Sequence, residues 1–223
     1  MACKIGAITI GQSPRTDVVP EMLPLLGGIE LDQRGALDGL SREEIAAIAP
    51  GPADYVLVTR LNDGSSVRIA EKHILQRMQA LIDELTIQGA AGILLLCTGE
   101  FPAFRSTIPV LYPQKLLRHF IAGTVSDQTV GVLTPDASQV PQATRRWREY
   151  GVPNVVVEPA SPYGDAAAVV AAGLRLQERQ AQVIVMDCIG YTVAMKAAIA
   201  DRTGLPVIVP RTVAARAAAE LFG

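Results

Sequence analysis

Two cysteines stand at matching places in this chain. Cys97 follows the apolar, β-rich run of GILLLCTGEF at 92–101, and Cys188 follows that of VIVMDCIGYT at 183–192. Each is followed two positions later by a glycine, Gly99 or Gly190. A thiol where a strand hands over to a helix feels the positive end of the helix dipole, which favours its ionised form. The glycine would let a substrate approach the backbone N–H groups beside it. One ionised and one neutral thiol, on opposite sides of a carbon, can take a proton from one face and deliver one to the other. N–H donors in a closed site would stabilise the enolate-like charge formed beside a carboxylate or carbonyl. Cys97 and Cys188 are therefore the candidate catalytic residues of a cofactor-independent racemase or isomerase. A covalent isomerase, with one thiol as nucleophile, is the close variant. A single cysteine after a strand is more often a small buried hydrophobe, and Cys3, at the start of the first strand, reads that way.

Other residues gather around this pair. Thr98 and Gly99 beside one thiol, and Ile189, Gly190 and Tyr191 beside the other, are candidate substrate contacts. Glu100 is a candidate proton relay, with a place in a first helical turn as the plainer alternative. Gly11-Gln12-Ser13-Pro14-Arg15 lies between the first strand and a helix. There Ser13 and the loop N–H groups would cradle an anion, with Arg15 as a two-pronged carboxylate partner; the alternative is an ordinary turn with a solvated arginine. Arg60 and Arg105 are further candidate anion partners by residue type, with a solvated arginine as the more frequent outcome. Asp187 is expected to cap or hydrogen-bond. No GxxxxGK[ST] and no GxGxxG occurs, so the loop is not a phosphate loop. His73 and His119 sit in helical segments without a second ligand at i+4, which leaves no metal site.

The elements that must position these residues alternate. Short β-branched runs at 5–10, 29–33, 54–60, 92–97, 129–134, 154–158, 182–187 and 206–209 read as strands. Amphipathic stretches at 41–49, 71–88, 139–150, 163–180, 192–203 and 212–222 read as helices. Ser41-x-x-Glu44 reads as a capping box, and Asn62-Asp63-Gly64 as a hairpin turn. The alanine-rich stretches at 166–172 and 214–219 are helix formers. The alternation predicts an α/β protein with largely parallel sheets. IGAIT at 5–9 is echoed by VGVLT at 130–134, as the first Cys-x-Gly is by the second. The first half is longer by about the capped helix and hairpin between Ala36 and Ala70. The expected architecture is two pseudo-symmetric α/β units, residues 1–112 with 207–223 and residues 113–206, with the site in the cleft between them. In open parallel sheets ligands sit beyond the carboxyl ends of the strands, where both thiols fall.

Composition narrows the function. With 223 residues, 49% of them hydrophobic, the chain can bury a sizeable core, and its net charge of −2 gives no nucleic-acid footprint. No lysine or arginine run points to an anionic membrane, and no stretch reaches the length of a membrane span. The N-terminus lacks a signal-peptide pattern. Three widely spaced cysteines make no disulfide framework. The expectation is a cytoplasmic protein with free thiols and a small anionic substrate. Its high apolar fraction hints at a homo-oligomer interface.

Two cysteines, one in each α/β half, resemble the arrangement of the aspartate/glutamate racemase superfamily. Cys188-Ile189-Gly190 resembles the second-cysteine Cys-Ala-Gly of hydantoin racemases, and VGVLT resembles the strand that opens their second half. That likeness adds Thr134 to the candidate substrate contacts. GQSPR at 11–15, DYVLVTRLNDG at 54–64 and CTGEFP at 97–102 together resemble the AroM family across most of the chain. The resemblance implies a fold and a site, and no established reaction. Amino-acid racemases of the group follow the first cysteine with Asn-Thr and the second with Thr, where this chain has Thr98-Gly99 and Ile189. The groups that grip an α-amino acid are thus partly absent, which leaves a different carboxylate or carbonyl acid open as substrate. Related decarboxylases use one thiol, so the presence of two favours isomerisation. The rival class is a non-catalytic binder or sensor of an acidic metabolite. A redox switch joining the two cysteines is weaker, because racemase-like geometry holds the sulfurs apart.

Overall fold

The computed structural model describes residues 3–223. The chain forms two units, Met1–Gln114 with Ala214–Gly223, and Lys115–Val213.

In the first unit, β1 (Lys4–Thr9) leads through α1 (Val19–Met22) to β2 (Glu30–Gly35) and α2 (Arg42–Ala47). The hairpin β3 (Val56–Arg60) and β4 (Ser66–Ala70) follows, then α3 (Leu75–Ile87), β5 (Ile93–Leu96) and β6 (Val110–Leu111). The parallel sheet has the order β2-β1-β5-β6. All of β5 and all of β1 after Lys4 are buried, which is why these strands read as continuous apolar runs rather than as alternation. Met78, Ile82 and Leu85 form the buried stripe of α3, at helical spacing. The capping box forms as expected. Ser41 Oγ accepts from the Glu44 N–H, and a Glu44 carboxylate oxygen accepts from the Ser41 N–H, a device worth about 1 kcal/mol.

The second unit holds most of α4 (Pro113–Ala122), then β7 (Val130–Thr134), α5 (Val140–Glu149), β8 (Val155–Pro159) and α6 (Ala166–Glu178). After these come β9 (Val183–Met186), α7 (Val193–Thr203), β10 (Val207–Ile208) and the first turn of α8 (Pro210–Phe222). Its parallel sheet has the order β8-β7-β9-β10. Both sheets therefore run second, first, third, fourth in order of appearance. The hairpin, β3 paired antiparallel to β4, is the addition that the first unit carries. The register also repeats. Thr9 at the end of β1 pairs with Leu96, and Leu133, one before the end of β7, pairs with Met186. Each thiol lies just beyond the third strand of its sheet.

Two details differ from expectation. Val207 pairs with Ile184, so residues 207–213 go with the second unit; the chain joins the first again from Ala214. There the Phe222 ring packs so closely on Gly92 that a Cβ at Gly92 would fall 2.2 Å from it. The short strand β6 follows an irregular stretch at 97–109, where Pro102 and Pro109 disfavour a helix.

Candidate functional site

Cys97 stands at the carboxyl end of β5 and is buried among Leu57, Leu95 and Phe101. No helix follows it, contrary to expectation, so no helix dipole acts on it and Glu100 lies in irregular chain rather than in a first helical turn. What the thiol has instead is local. The Gly99 N–H donates to Cys97 Sγ at 3.2 Å, an interaction worth more to a thiolate than to a thiol. Thr98 is buried beside it. Gly99 is closely packed, since a Cβ there would lie 2.5 Å from a Leu57 methyl of the hairpin. The Glu100 N–H is held by the Tyr55 hydroxyl at 3.1 Å. Glu71 is held above the usual carboxyl range, first by burial and then by the charge of Glu100.

Cys188 ends the equivalent strand of the other unit and does precede a helix, α7, whose N-cap Thr192 accepts from the Met195 N–H. The same device recurs here, with the Gly190 N–H donating to Cys188 Sγ at 3.4 Å. In both turns the glycine N–H points at sulfur rather than at space for a substrate. Gly190 also lies against the Tyr163 ring, whose atoms would stand 2.7–2.8 Å from an added Cβ. The Tyr163 hydroxyl is 4.0 Å from Cys188 Sγ, at the outer limit of a hydrogen bond to sulfur. The Ile189 carbonyl accepts from Arg211 Nε and Nη2 at 3.1 and 2.9 Å. Arg211 has no exposed surface.

Tyr191 was expected to touch substrate and is instead a strut. It is fully buried and donates to the Ala160 carbonyl at 2.5 Å. Burial first, then negative charge at Cys188, Asp187 and Tyr163, holds its hydroxyl well above the usual tyrosine value. Asp187 has the hydrogen-bonding role expected of it. Its Oδ2 accepts from Arg146 Nη2 and, at 2.8 Å, from Trp147 Nε1. Thr134, at the end of β7, donates to Gln139 Oε1 at 3.3 Å.

The loop after β1 is built around carboxylates of its own unit. Asp38 accepts from the Ser13 N–H at 2.8 Å, the Ser13 hydroxyl at 2.6 Å and the Gly35 N–H at 2.7 Å. Arg15 is 3% exposed and forks onto Asp17 with two bonds of 2.8 Å, while its Nη1 donates to Thr9 Oγ1 at 3.1 Å. The anion cradle expected at Ser13 and Arg15 is thus occupied from within. The hairpin turn clamps the same loop. Asn62 donates its N–H to Gln12 Oε1 and its Nδ2–H to the Ser13 carbonyl, both at 2.9 Å. Between loop and hairpin is a cavity of about 450 Å³, lined by Arg15, Asp17, Arg60 and Asn62 among others. Arg60 spends its Nε on the Gly64 carbonyl. Arg105 lies elsewhere, its backbone N–H bonded to Gln79.

Sequence reasoning missed Arg211, Tyr163, Asp38 and the Arg146–Trp147 pair. Their spacing from the sites they serve runs from 22 residues, Arg211 to Ile189, to 41, Arg146 to Asp187. No local motif marks such pairs.

The fold has close counterparts in solved structures. An aspartate racemase from Picrophilus torridus matches with a TM-score of 0.64 at 14% identity, over 100% of this chain and 95% of that one. Unliganded arylmalonate decarboxylase matches with a TM-score of 0.66 at 14% identity, over 100% and 93%. Maleate isomerase Iso from Pseudomonas putida S16 gives 0.63 at 13% identity, over 96% and 90%. The class is therefore the two-unit α/β fold that these racemase, decarboxylase and isomerase structures share. Within it, the AroM protein family matches residues 5–222, and the chain belongs to that family. No curated protein matches the sequence.

Proposed function

We propose that this protein is a cofactor-independent racemase or isomerase of a small carboxylic or carbonyl acid, with Cys97 and Cys188 as opposed acid and base. One thiolate takes the proton from the carbon beside the carboxylate or carbonyl and becomes a thiol. The electron pair spreads onto that group as an enolate. The other thiol gives its proton to the opposite face and is left as thiolate. The observation that carries this reading is the repeated turn. In two sheets of the same strand order, the third strand is followed within two residues by a cysteine whose sulfur accepts the N–H of the glycine two residues on. A packing role alone asks for no N–H aimed at sulfur, still less for two.

The acid needs a cation, and Arg60 at the cavity between loop and hairpin supplies it in this reading, since Arg15 is already forked onto Asp17. The hairpin reaches both parts of its unit, with Leu57 against Gly99 and Thr59 against Gly11.

The test is incubation in D₂O with a panel of small chiral carboxylic acids, followed by mass spectrometry and optical rotation. Deuterium uptake beside the carboxylate with loss of rotation, abolished in Cys97→Ser and Cys188→Ser, is the expected result. Acids that raise the melting temperature equally in wild type and both variants, with no exchange in any, would establish the non-catalytic binder instead.

A further inference from the structure

The glycine N–H acts on both sulfurs and does not distinguish them. The charges around them do. Cys188 is flanked in its own turn by Asp187 and by Tyr191, which burial keeps protonated. From α5 Arg146 meets Asp187 and offsets its charge. From the loop before α6 comes the Tyr163 hydroxyl, and from the first turn of α8 the Arg211 guanidinium, fully buried against the Ile189 carbonyl. Arg146 thus answers Asp187, and Arg211 brings a further guanidinium to the turn that holds Cys188. A buried cation favours an anion beside it. In the first unit the chain that follows Cys97 brings carboxylates instead of guanidinium groups. Glu100 is three residues on, and Glu71, raised first by burial, is close enough to Glu100 for that charge to raise it further. Tyr55 joins them, taking the Glu100 N–H on its hydroxyl and the Glu71 N–H on its carbonyl.

We infer that Arg211 is a positioning residue that sets the resting state of the thiol pair, with Cys188 ionised and Cys97 protonated. It does so in two ways. Its fork fixes the carbonyl between Cys188 and Gly190, which keeps the Gly190 N–H on the sulfur. Its charge balances the thiolate. The consequence, which rests on the proposed two-thiol reaction, is a direction. The resting enzyme accepts first the substrate form whose proton faces Cys188, and the other form must wait for the proton to move.

The test needs no substrate, so it stands or falls apart from the reaction itself. Iodoacetamide is attacked by a thiolate, forming a carbon–sulfur bond as iodide leaves, so the alkylation rate against pH reports each thiol's ionised fraction. Peptide mass spectrometry reads Cys97 and Cys188 separately in the same wild-type sample. The Cys188 profile should have its midpoint lower than that of Cys97 by about one pH unit or more. Arg211→Gln keeps a donor for the Ile189 carbonyl and loses the charge. It should move the Cys188 midpoint upward by about one unit and leave that of Cys97 in place. Coincident wild-type midpoints, or a lower one for Cys97, would overturn the inference, as would an Arg211→Gln profile unchanged at Cys188. If Arg211→Gln fails to fold, the wild-type ordering alone decides. Isomerase activity with coincident midpoints would sink this inference and spare the function; staggered midpoints in an inactive protein would do the reverse.

Discussion

Arg15 and Asp17 face each other across a two-residue step, the guanidinium forking onto the carboxylate with two bonds of 2.8 Å. Arg15 is therefore a structural residue first. Burial works to raise the Asp17 carboxyl, but the hydrogen bonds and charge of Arg15, helped by Arg60, outweigh it and hold it below its ordinary value. A depressed carboxylate stabilises the fold at pH values above its unfolded value, and the contribution is lost as the pH falls through the folded one. Arg15→Ala should cost about 3 kcal/mol by urea unfolding at neutral pH. The difference from wild type should shrink as the pH falls from the unfolded aspartate value of about 4 through the lower value that Asp17 has in the folded protein. An unchanged urea midpoint at pH 7 would show the pair to be ornamental.

Arg60 is expected to behave in the opposite way. It lines the cavity and holds one backbone carbonyl, so Arg60→Gln should change stability by less than about 1 kcal/mol. Loss of a charge-assisted bond to a carboxylate should raise KM about tenfold or more for whichever acid proves active. A normal KM in this variant would remove Arg60 from the site.

Asp187 is buried beside Cys188, and the chain's one tryptophan donates to it. Trp147→Phe keeps most of the apolar volume and removes the indole N–H from a carboxylate, at a cost of about 1.5–3 kcal/mol. Asp187→Ala takes the carboxylate from a buried Arg146 and should cost more, about 3–5 kcal/mol. Denaturant midpoints that rank the two variants the other way would contradict this account of the cluster.

Much of the scaffold was legible before any coordinates. Strands buried on both faces announce themselves as apolar runs, and Met78, Ile82 and Leu85 mark a helix by spacing alone. Ser41 and Glu44 marked a helix start because capping is a contact over three residues. The thiols were legible through the echo of strand, cysteine and glycine. The rest was hidden for one reason, which is that its partners are distant in the chain. Nothing local says that Ser13 answers to Asp38, that Arg211 grips Ile189, or that Tyr163 lies on Gly190. Arg15 misled because a guanidinium fork looks the same whether its carboxylate is a ligand or Asp17. The helix expected after Cys97 failed because Pro102 and Pro109 punctuate the segment, and β6 is only two residues long.

The two glycines should differ in tolerance. An alanine Cβ at position 99 meets a Leu57 methyl at 2.5 Å, the end of a flexible side chain that can turn away. At position 190 it meets three atoms of the Tyr163 phenol at 2.7–2.8 Å, and a ring must be displaced. Gly190→Ala should therefore lose about 1–3 kcal/mol and Gly99→Ala less. Adding Tyr163→Ala to Gly190→Ala should recover much of the loss, since the obstacle is gone. A double variant no more stable than Gly190→Ala would place the strain elsewhere.

The two cysteines can be separated by what each leaves behind. A serine hydroxyl is far too weak an acid to ionise near neutrality, although it still donates a hydrogen bond. Cys97→Ser and Cys188→Ser should thus each abolish interconversion of the two substrate forms. Each variant keeps one thiol, and that thiol, once ionised, reaches one face of the carbon. In D₂O each should still exchange the proton of one enantiomer, and the two variants should choose opposite enantiomers. Chiral separation followed by mass spectrometry reads the outcome directly. The same enantiomer exchanged by both would mean that a single base serves the reaction. Turnover at the wild-type rate in both would reduce the cysteines to packing, and the N–H groups of Gly99 and Gly190 would then be turned toward sulfurs that do no chemistry.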